Sequence, residues 1–242
     1  MRSIRSWRRA DGFTLVELAI ALFVISILLS GILLPLTTQV TQRKTGDAQK
    51  ALEDVKEALI GYAMARGRLP CPATATSNGI ESPVGGGACT TVYGFVPAAT
   101  LGLSGTDAQG YAIDTWGTRI RYAVTTSNAN AFTTTNGMRT AGMGALSPNL
   151  YVCATATGIT ATTCGTATML VGSAPAVIYS LGPNWATGGA GADEAANLNN
   201  DPVFVFHLRT ASGNANGEFD DIVTWLSTNA LTSRMVMAGQ LP

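Results

Sequence analysis

The sequence predicts an α+β protein in which one long N-terminal α-helix packs on an antiparallel β-sheet head. An apolar run at residues 18–36 continues without a clear stop into a stretch with helical periodicity that ends near Pro70. Beyond Pro70 that period fades, and short segments rich in Val, Ile, Tyr and Phe alternate with stretches rich in Gly, Pro and Thr. These are the compositions of strands and of loops. A helix packed on an antiparallel sheet is an α+β arrangement.

The N-terminus combines a basic cluster with a long apolar segment. Residues 1–12 contain four arginines against Asp11, and residues 18–42 carry no charge. The apolar run of 19 residues is close to the about 20 that a membrane-spanning helix needs. By the positive-inside rule the arginines stay in the cytoplasm and the rest of the chain lies outside. An ordinary secretory signal begins in the same way, but its apolar core is shorter and a small-x-small cleavage site follows it.

A plain single-span anchor is the other alternative, and it does not explain Glu17. A carboxylate near the start of a membrane helix costs about 2.5–3.5 kcal/mol unless it finds a partner. Residues 12–18, with the sequence GFTLVEL, follow the basic leader and precede the apolar run. This order resembles the processing motif of type IV pilins and type II secretion pseudopilins. A short motif of this kind is a hypothesis that its structural context must support.

The resemblance implies that residues 1–12 are a leader peptide, cut between Gly12 and Phe13 on the cytoplasmic side. The enzyme would be the prepilin peptidase, a membrane aspartic peptidase that also methylates the new amine of Phe13. In an assembled filament Glu17 can then pair with the Phe13 amine of a neighbouring subunit, which relieves the cost of its burial. The implied partners are other pilin or pseudopilin subunits, the prepilin peptidase, the inner-membrane assembly platform and, before assembly, membrane lipid.

The predicted helix covers residues 13–64 and ends at the sequence RGRLP. Residues 13–36 form its transmembrane and filament-core part, and residues 37–68 contain its amphipathic continuation. In that continuation one face is apolar, with Ala48, Ala51, Leu52, Val55, Leu59, Tyr62 and Ala63 spaced by three and four, and we expect it to pack in the core. The other face is charged, with Lys50, Glu53, Asp54, Lys56 and Glu57. Pro35, four residues after Gly31, removes a backbone donor, so a kink is predicted there.

The head is predicted to span residues 69–242. The strand candidates are residues 118–125, 149–155, 176–181, 203–208 and 221–226, and a short helix is expected at 228–239. Residues 72–91 are predicted to form a loop, and the Thr-rich stretches 124–136 and 155–168 exposed loops or a peripheral hairpin. The strings GRLPCP at 67–72, DTWG at 114–117 and YSLGPN at 179–184 resemble elements of pseudopilin heads.

The four cysteines fall as two close pairs, Cys71 with Cys89 and Cys153 with Cys164. An even count, no C-x-x-C and one histidine favour disulfides over a zinc site. Four cysteines allow three disulfide connectivities, and we favour the one in which each cysteine pairs with its near neighbour in the sequence. Each of these two bonds would contribute about 2–4 kcal/mol to the stability of the fold. Free buried thiols are the alternative.

The head is mildly acidic, with five Lys or Arg and nine Asp or Glu over residues 69–242, a formal −4. Direct binding to nucleic acid, which needs a basic face, is therefore not expected. No cofactor is expected except calcium, because hard oxygen ligands suit that ion. Its candidate ligands are Asp193, Asp201, Asp220 and Asp221, in an acidic third that also holds Asn184 and Glu218. Solvated loop carboxylates are the alternative, since the spacing matches no fixed calcium pattern.

The predicted function is that of a structural subunit, a minor pilin or pseudopilin, and not of an enzyme. The sequence shows no nucleophile elbow, no histidine pair at metal spacing and no phosphate loop, and His207 is predicted to be structural. The expected location is the inner membrane, crossed once with the N-terminus cytoplasmic and the head periplasmic, and then a pilus or pseudopilus filament that could reach the cell surface. The alternatives are a filament-tip adhesin or initiator and a membrane-anchored extracytoplasmic enzyme.

Overall fold

A computed structural model of the protein describes residues 14–186 and 191–242, with the backbone only for residues 28–38. The chain divides into two compact units, Met1–Arg43 and Lys44–Pro242. The basic leader and the cleavage site at Gly12 and Phe13 lie outside the described residues.

Helix α1 spans Leu15–Arg66, so the predicted helix is confirmed from residue 15 onward. The helix assignment continues through Gly31 and Pro35, whose predicted kink falls in the segment without described side chains. Among the described residues, no helix combines the length and the apolar content that a membrane crossing requires. The predicted membrane segment covers residues 13–36. Residue 13 and the side chains of residues 28–36 lie outside the described part of the chain.

In the first unit, the described part of α1 presents large apolar side chains to solvent. They are exposed on all sides of the helix and include Leu15, Leu18, Ile20, Leu22 and Phe23. Contiguous exposed apolar surface of this kind marks a region that meets lipid or another protein.

The described part of the second unit contains two β-sheets. Within the described residues the strands are β1 (Tyr93–Phe95), β2 (Arg121–Val124), β3 (Leu150–Cys153), β4 (Met169–Ala174), β5 (Ala176–Ser180), β6 (Val203–Val205) and β7 (Ile222–Trp225). The first sheet has the order β1-β2-β5-β7 and is antiparallel throughout. The second has the order β4-β3-β6, in which β3 and β4 are antiparallel and β3 and β6 are parallel.

Short helical segments connect these strands. In the described part of the chain they are α2 (Ala98–Leu101), α3 (Ser127–Asn130), α4 (Gly137–Ala141), a 3₁₀ turn (Met143–Ala145), α5 (Ala192–Ala196) and α6 (Thr228–Met237). The backbone of α3 is irregular, because Asn128 and Ala129 have positive φ angles. Helix α6 confirms the predicted C-terminal helix within two residues of its expected end.

The first sheet is buried on both faces. The predicted apolar stripe of α1 packs on one face with Tyr122 and Ile178, through the buried side chains of Ala48, Leu52, Val55, Leu59 and Ala63. The other face packs on the second sheet, where Tyr179 and Phe204 lie in one cluster with Val152 and Val177. This two-sided burial explains why every residue of β5 is buried and why β5 has a nearly continuous apolar sequence.

The structure differs from the predicted head in three places. Strands β1 and β4 were not predicted, and the second sheet contains a parallel pair in addition to antiparallel ones. The prediction of an exposed loop at 124–136 was wrong, because Val124 belongs to β2 and Thr125, Phe132 and Thr133 are buried. The O–H of Thr133 donates to Gly87 O at 2.7 Å, which ties this segment to the first cysteine loop.

Candidate functional site

The start of α1 is organised by Thr14 and Glu17. The N–H and the hydroxyl of Thr14 each donate to Glu17 Oε2 at 3.1 Å, and the N–H of Glu17 donates to Thr14 Oγ1 at 3.2 Å. This reciprocal pattern is a capping box, which satisfies backbone donors that have no partner within the helix. In the single chain the partner of Glu17 is therefore Thr14. The sequence TLVE had been interpreted only as part of the processing motif.

A second candidate site lies in the acidic third of the head. Glu194 of α5 and the adjacent Asp220 and Asp221, just before β7, each offer a carboxylate oxygen, and these oxygens lie within 4.8 Å of one another. All three residues are buried. Glu194 is held by Asn184, whose amide donates to its two oxygens at 3.0 and 3.2 Å, and it also accepts the N–H of Asp220 at 3.0 Å. We call these three residues the acidic cluster.

Within the acidic cluster, the carboxylate of Asp220 is the least satisfied by hydrogen bonds. Its side chain is 2% exposed, and both of its carboxylate oxygens are buried without a hydrogen bond to the described residues. Burial and, after it, the negative charge of Glu194 together raise the pKa of Asp220 to about 7. Arg209, 3.8 Å from Oδ2, and the backbone of Asn184 oppose this rise only in part. A buried carboxylate in this condition needs a proton or a cation.

Asp221 is in a similar condition. Burial, with a further contribution from the charges of Glu194 and Asp220, raises its pKa to about 8. One hydrogen bond opposes it, because the amide of Asn197 donates to Asp221 Oδ2 at 2.8 Å. Three carboxylates that repel one another are thus held together by the fold.

The DTWG and YSLGPN segments are joined to each other by a hydrogen bond, and the second segment contacts the acidic cluster. In the DTWG turn, Asp114 Oδ1 accepts the N–H groups of Trp116 and Thr118 at 2.9 Å. Its other oxygen accepts the hydroxyl of Ser180 at 2.6 Å, at the start of the second segment. Gly182 follows with a φ of 65°, and a Cβ at this position would collide with the carboxylate and the backbone oxygen of Asp220. Only glycine therefore allows the chain to pass so close to Asp220.

The acidic cluster fits a divalent cation of the calcium type. Calcium takes oxygen ligands at about 2.3–2.6 Å, so its ligand atoms lie up to about 5 Å apart. The spacing of the cluster agrees with this distance, and neither oxygen of Asp220 is taken up by a well-formed hydrogen bond with the described residues. The predicted ligands Asp220 and Asp221 are thus brought together, and Glu194 joins them although it had not been predicted.

The other two predicted ligands lie elsewhere, so the predicted set of four is corrected. Asp193 accepts hydrogen bonds from Thr155, Ala156 and Asn216 and contacts His207. Asp201 accepts the N–H of Val203 at 2.8 Å and the amide of Asn199 at 2.7 Å in a local turn. Asp193 and Glu194 are adjacent in α5 and point to different partners, which the spacing of the sequence did not reveal.

His207, which was predicted to be structural, has several partners within the head. Its Nε2 lies 3.1 Å from Asp193 Oδ2, its Nδ1 lies 2.7 Å from Leu208 O, and its ring stacks on Phe219. Both ring nitrogens face oxygen acceptors, so both can donate only in the protonated ring. His207 thus links α5 to the segment after β6.

Both predicted disulfides, Cys71–Cys89 and Cys153–Cys164, are present in the structure. Cys71, Cys153 and Cys164 are buried, and Cys89 is half-buried. The first bond closes the loop that had been predicted between residues 72 and 91. The second closes the exposed Thr-rich loop after β3.

The chain matches the family described as the prokaryotic N-terminal methylation motif over residues 7–33. No curated protein and no solved structure matches the chain. The matched segment contains Gly12, Phe13 and Glu17, the residues that the processing motif requires. The chain therefore carries a prepilin-type methylation motif, which supports its relation to the type IV pilin-like and pseudopilin subunits that prepilin peptidase processes.

Proposed function

We propose that the protein is a minor structural subunit of an extracytoplasmic filament, either a type IV pilus or a type II secretion pseudopilus. The observation that carries this proposal is the methylation motif at residues 7–33. Cleavage after Gly12 would leave Phe13 as the first residue, with a positive and N-methylated amine. The capping pair of Thr14 and Glu17 would then begin one residue after the new N-terminus.

Assembly would bring Glu17 into contact with the Phe13 amine of a neighbouring subunit. In the single chain Glu17 is exposed, and its carboxylate accepts hydrogen bonds from Thr14. Its charge is therefore satisfied before assembly. When subunits bury their apolar helices together, a carboxylate in the helix interface needs a positive partner. Leaving one member of such a pair unmatched costs about 3–5 kcal/mol, which favours subunits in the correct axial register.

Before assembly, we propose that the segment at 13–36 holds the protein in the inner membrane. The exposed apolar side chains of α1 between Leu15 and Ile27 support this role. The arginines of the leader favour a cytoplasmic N-terminus, and the two disulfides suit a head on the oxidising, periplasmic side. The assembly platform and other subunits would be its partners there.

We further propose that a calcium ion at the acidic cluster stabilises the head. The buried oxygens of Asp220, which accept no well-formed hydrogen bond from the described residues, support this assignment most directly. Glu194, Asp220 and Asp221 would supply ligands, and the ion would neutralise carboxylates whose mutual repulsion opposes folding. This role is structural, as we propose for the whole protein.

The function is tested by deleting the chromosomal copy and scoring protein secretion, twitching motility and DNA uptake separately. Loss of secretion alone would assign the subunit to a secretion pseudopilus, and loss of motility or uptake would assign it to a pilus. Complementation with the parent chain should restore the lost activity, and complementation with Gly12→Leu, which blocks the cleavage site, should not. Full restoration by Gly12→Leu would contradict the proposal.

A further inference from the structure

The head contains a groove that belongs to neither candidate site. Its volume is about 480 Å³, and its walls include Phe95, Arg119, Arg121, Leu181, Trp185 and Leu198. A volume of this size lies within the range of small-ligand sites, about 300–1,000 Å³. Such sites are mostly apolar and carry a few polar groups that orient the ligand.

Arg121 is the polar group that distinguishes this groove. In the first sheet Arg121 pairs with Phe95 of β1 and Tyr179 of β5, so the three side chains lie on the same face. Its guanidinium lies 4.9 Å from the centroid of the Phe95 ring. It makes no hydrogen bond or ion pair with the described residues, although a guanidinium has five N–H donors.

The neighbouring Arg119 shows the opposite situation. Its Nε donates to Asp107 Oδ2 at 2.7 Å, its Nη2 donates to Gln109 Oε1 at 3.2 Å, and its guanidinium lies 3.9 Å from the centroid of the Tyr111 ring. Arg119 is thus paired with a carboxylate of its own within the fold. The head contains nine Asp or Glu and five Lys or Arg, yet Arg121 is half-buried in an apolar groove and no carboxylate among the described residues pairs with it.

The walls of the groove define the rest of the ligand. Trp185 is 48% exposed and, with Leu181 and Leu198, gives the groove an apolar lining. The planar guanidinium binds a carboxylate through two parallel hydrogen bonds. A phosphate carries more charge and more oxygens than this groove can match, since its other arginine is already paired with Asp107.

We infer that this groove binds a carboxylate joined to an aromatic or other apolar group, and that Arg121 holds the carboxylate. Phe95 supports the guanidinium through a cation–π contact. Trp185 covers the apolar part. The carboxylate could come from a free organic acid or from the C-terminus of a peptide, because both present the same group.

The test uses the full chain in detergent and ligand-observed NMR titrations. The probes are N-acetylphenylalanine and its amide, which differ only in the carboxylate, and the dipeptide N-acetylalanylphenylalanine with its amide. For ligands of this size we expect a Kd on the order of 1 mM for each acid, and binding at least about tenfold weaker for each amide. Tighter binding of the dipeptide acid would assign the peptide source, and equal or weaker binding the free acid.

The variants separate the two parts of the groove. Arg121→Gln should weaken the binding of the acids about tenfold and leave the binding of the amides unchanged. Arg121→Lys should bind the acids with an intermediate affinity, because lysine keeps the charge but cannot donate two parallel hydrogen bonds to a carboxylate. Trp185→Ala should weaken acids and amides alike. Arg139→Gln, at an exposed arginine outside the groove, should change nothing. Absence of binding at concentrations on the order of 10 mM, equal binding of acid and amide, or unchanged binding by Arg121→Gln at an unchanged melting temperature would overturn the inference.

Discussion

Arg68 and Glu81 form a two-point ion pair that fastens the first disulfide loop to the end of α1. The Nη1 of Arg68 donates to Glu81 Oε2 at 2.8 Å and its Nη2 donates to Oε1 at 2.7 Å. Both side chains are buried, at 5% and 4% exposed. Glu81 also accepts the N–H of Cys71 at 3.2 Å, and Tyr62 contacts both partners through its hydroxyl. Every charge in this buried contact is therefore matched.

Replacing Glu81 by alanine should strongly destabilise the head. The substitution leaves the guanidinium of Arg68 buried without its counter-charge, which lowers the free energy of unfolding by about 3–5 kcal/mol. The matched control is Glu53→Ala, because Glu53 pairs with Lys56 on the surface of α1 and is 52% exposed. That change should cost about 0–1 kcal/mol. Denaturant unfolding measures the loss of unfolding free energy in each variant. Equal losses would show that the burial of the Arg68–Glu81 pair adds nothing to its contribution.

The same pair should make stability depend on pH. Hydrogen bonds and the charge of Arg68 outweigh the effect of burial and lower the pKa of Glu81. A carboxylate with a lowered pKa stabilises the fold above its unfolded pKa of about 4.3, and it loses this contribution as the pH falls through its folded pKa. The free energy of unfolding should therefore fall more steeply below about pH 4 in the parent than in Glu81→Gln. Parallel pH profiles would show that Glu81 is not the group responsible.

The parts of this structure that were predictable from sequence depend on local spacing. The stripe from Ala48 to Ala63 repeats at three and four residues, so the buried face of α1 followed directly from it. The pairing of the cysteines followed from their proximity along the chain. In the DTWG turn, Asp114 caps its own backbone, which is a local property of Asp in turns.

The parts that were missed depend on contacts between distant segments. Strand β1 has three residues with Gly94 at its centre, and β4 is mostly exposed, so neither shows the apolar pattern of a buried strand. Glu194 meets Asp220 because α5 turns it toward the segment before β7. Asp193, its neighbour in the same helix, meets His207 instead. No spacing in the sequence distinguishes these two acidic residues.

Calcium should raise the melting temperature of the protein, and the effect should depend on Asp220. An ion that binds only the folded state at one hundred times its Kd adds about 2.7 kcal/mol. Asp220→Asn removes a ligand and should abolish this gain. In chelator the same variant should be at least as stable as the parent, because burial opposes the charge of Asp220 and raises its pKa to about 7.

The control for this experiment is Asp201→Asn. Asp201 lies outside the acidic cluster and holds the N–H of Val203, so this variant should keep its response to calcium. Thermal unfolding of the parent and both variants, in chelator and in calcium, measures these melting temperatures. Identical unfolding curves for the parent in the two conditions would show that calcium does not bind and stabilise the head.

The two roles of Glu17 can be separated by three substitutions. If its charge pairs with a neighbour's amine, Glu17→Gln should reduce filament incorporation as much as Glu17→Ala, although glutamine can still complete a capping box. Thr14→Ala removes the capping hydroxyl and keeps the charge, so it should assemble nearly as well as the parent. The measurement is the ratio of subunit in sheared filaments to subunit in membranes. Normal incorporation of Glu17→Gln together with loss in Thr14→Ala would assign Glu17 to helix capping alone.

The N-terminus of the mature protein tests most directly whether this chain is a processed filament subunit. Mass spectrometry of the membrane-extracted protein should find a chain that begins at Phe13 and carries one methyl group on its α-amine. In a strain without prepilin peptidase, the same peptide should be replaced by one that retains residues 1–12. A mature chain that begins at Met1, or one cut beyond Leu36, would contradict the account.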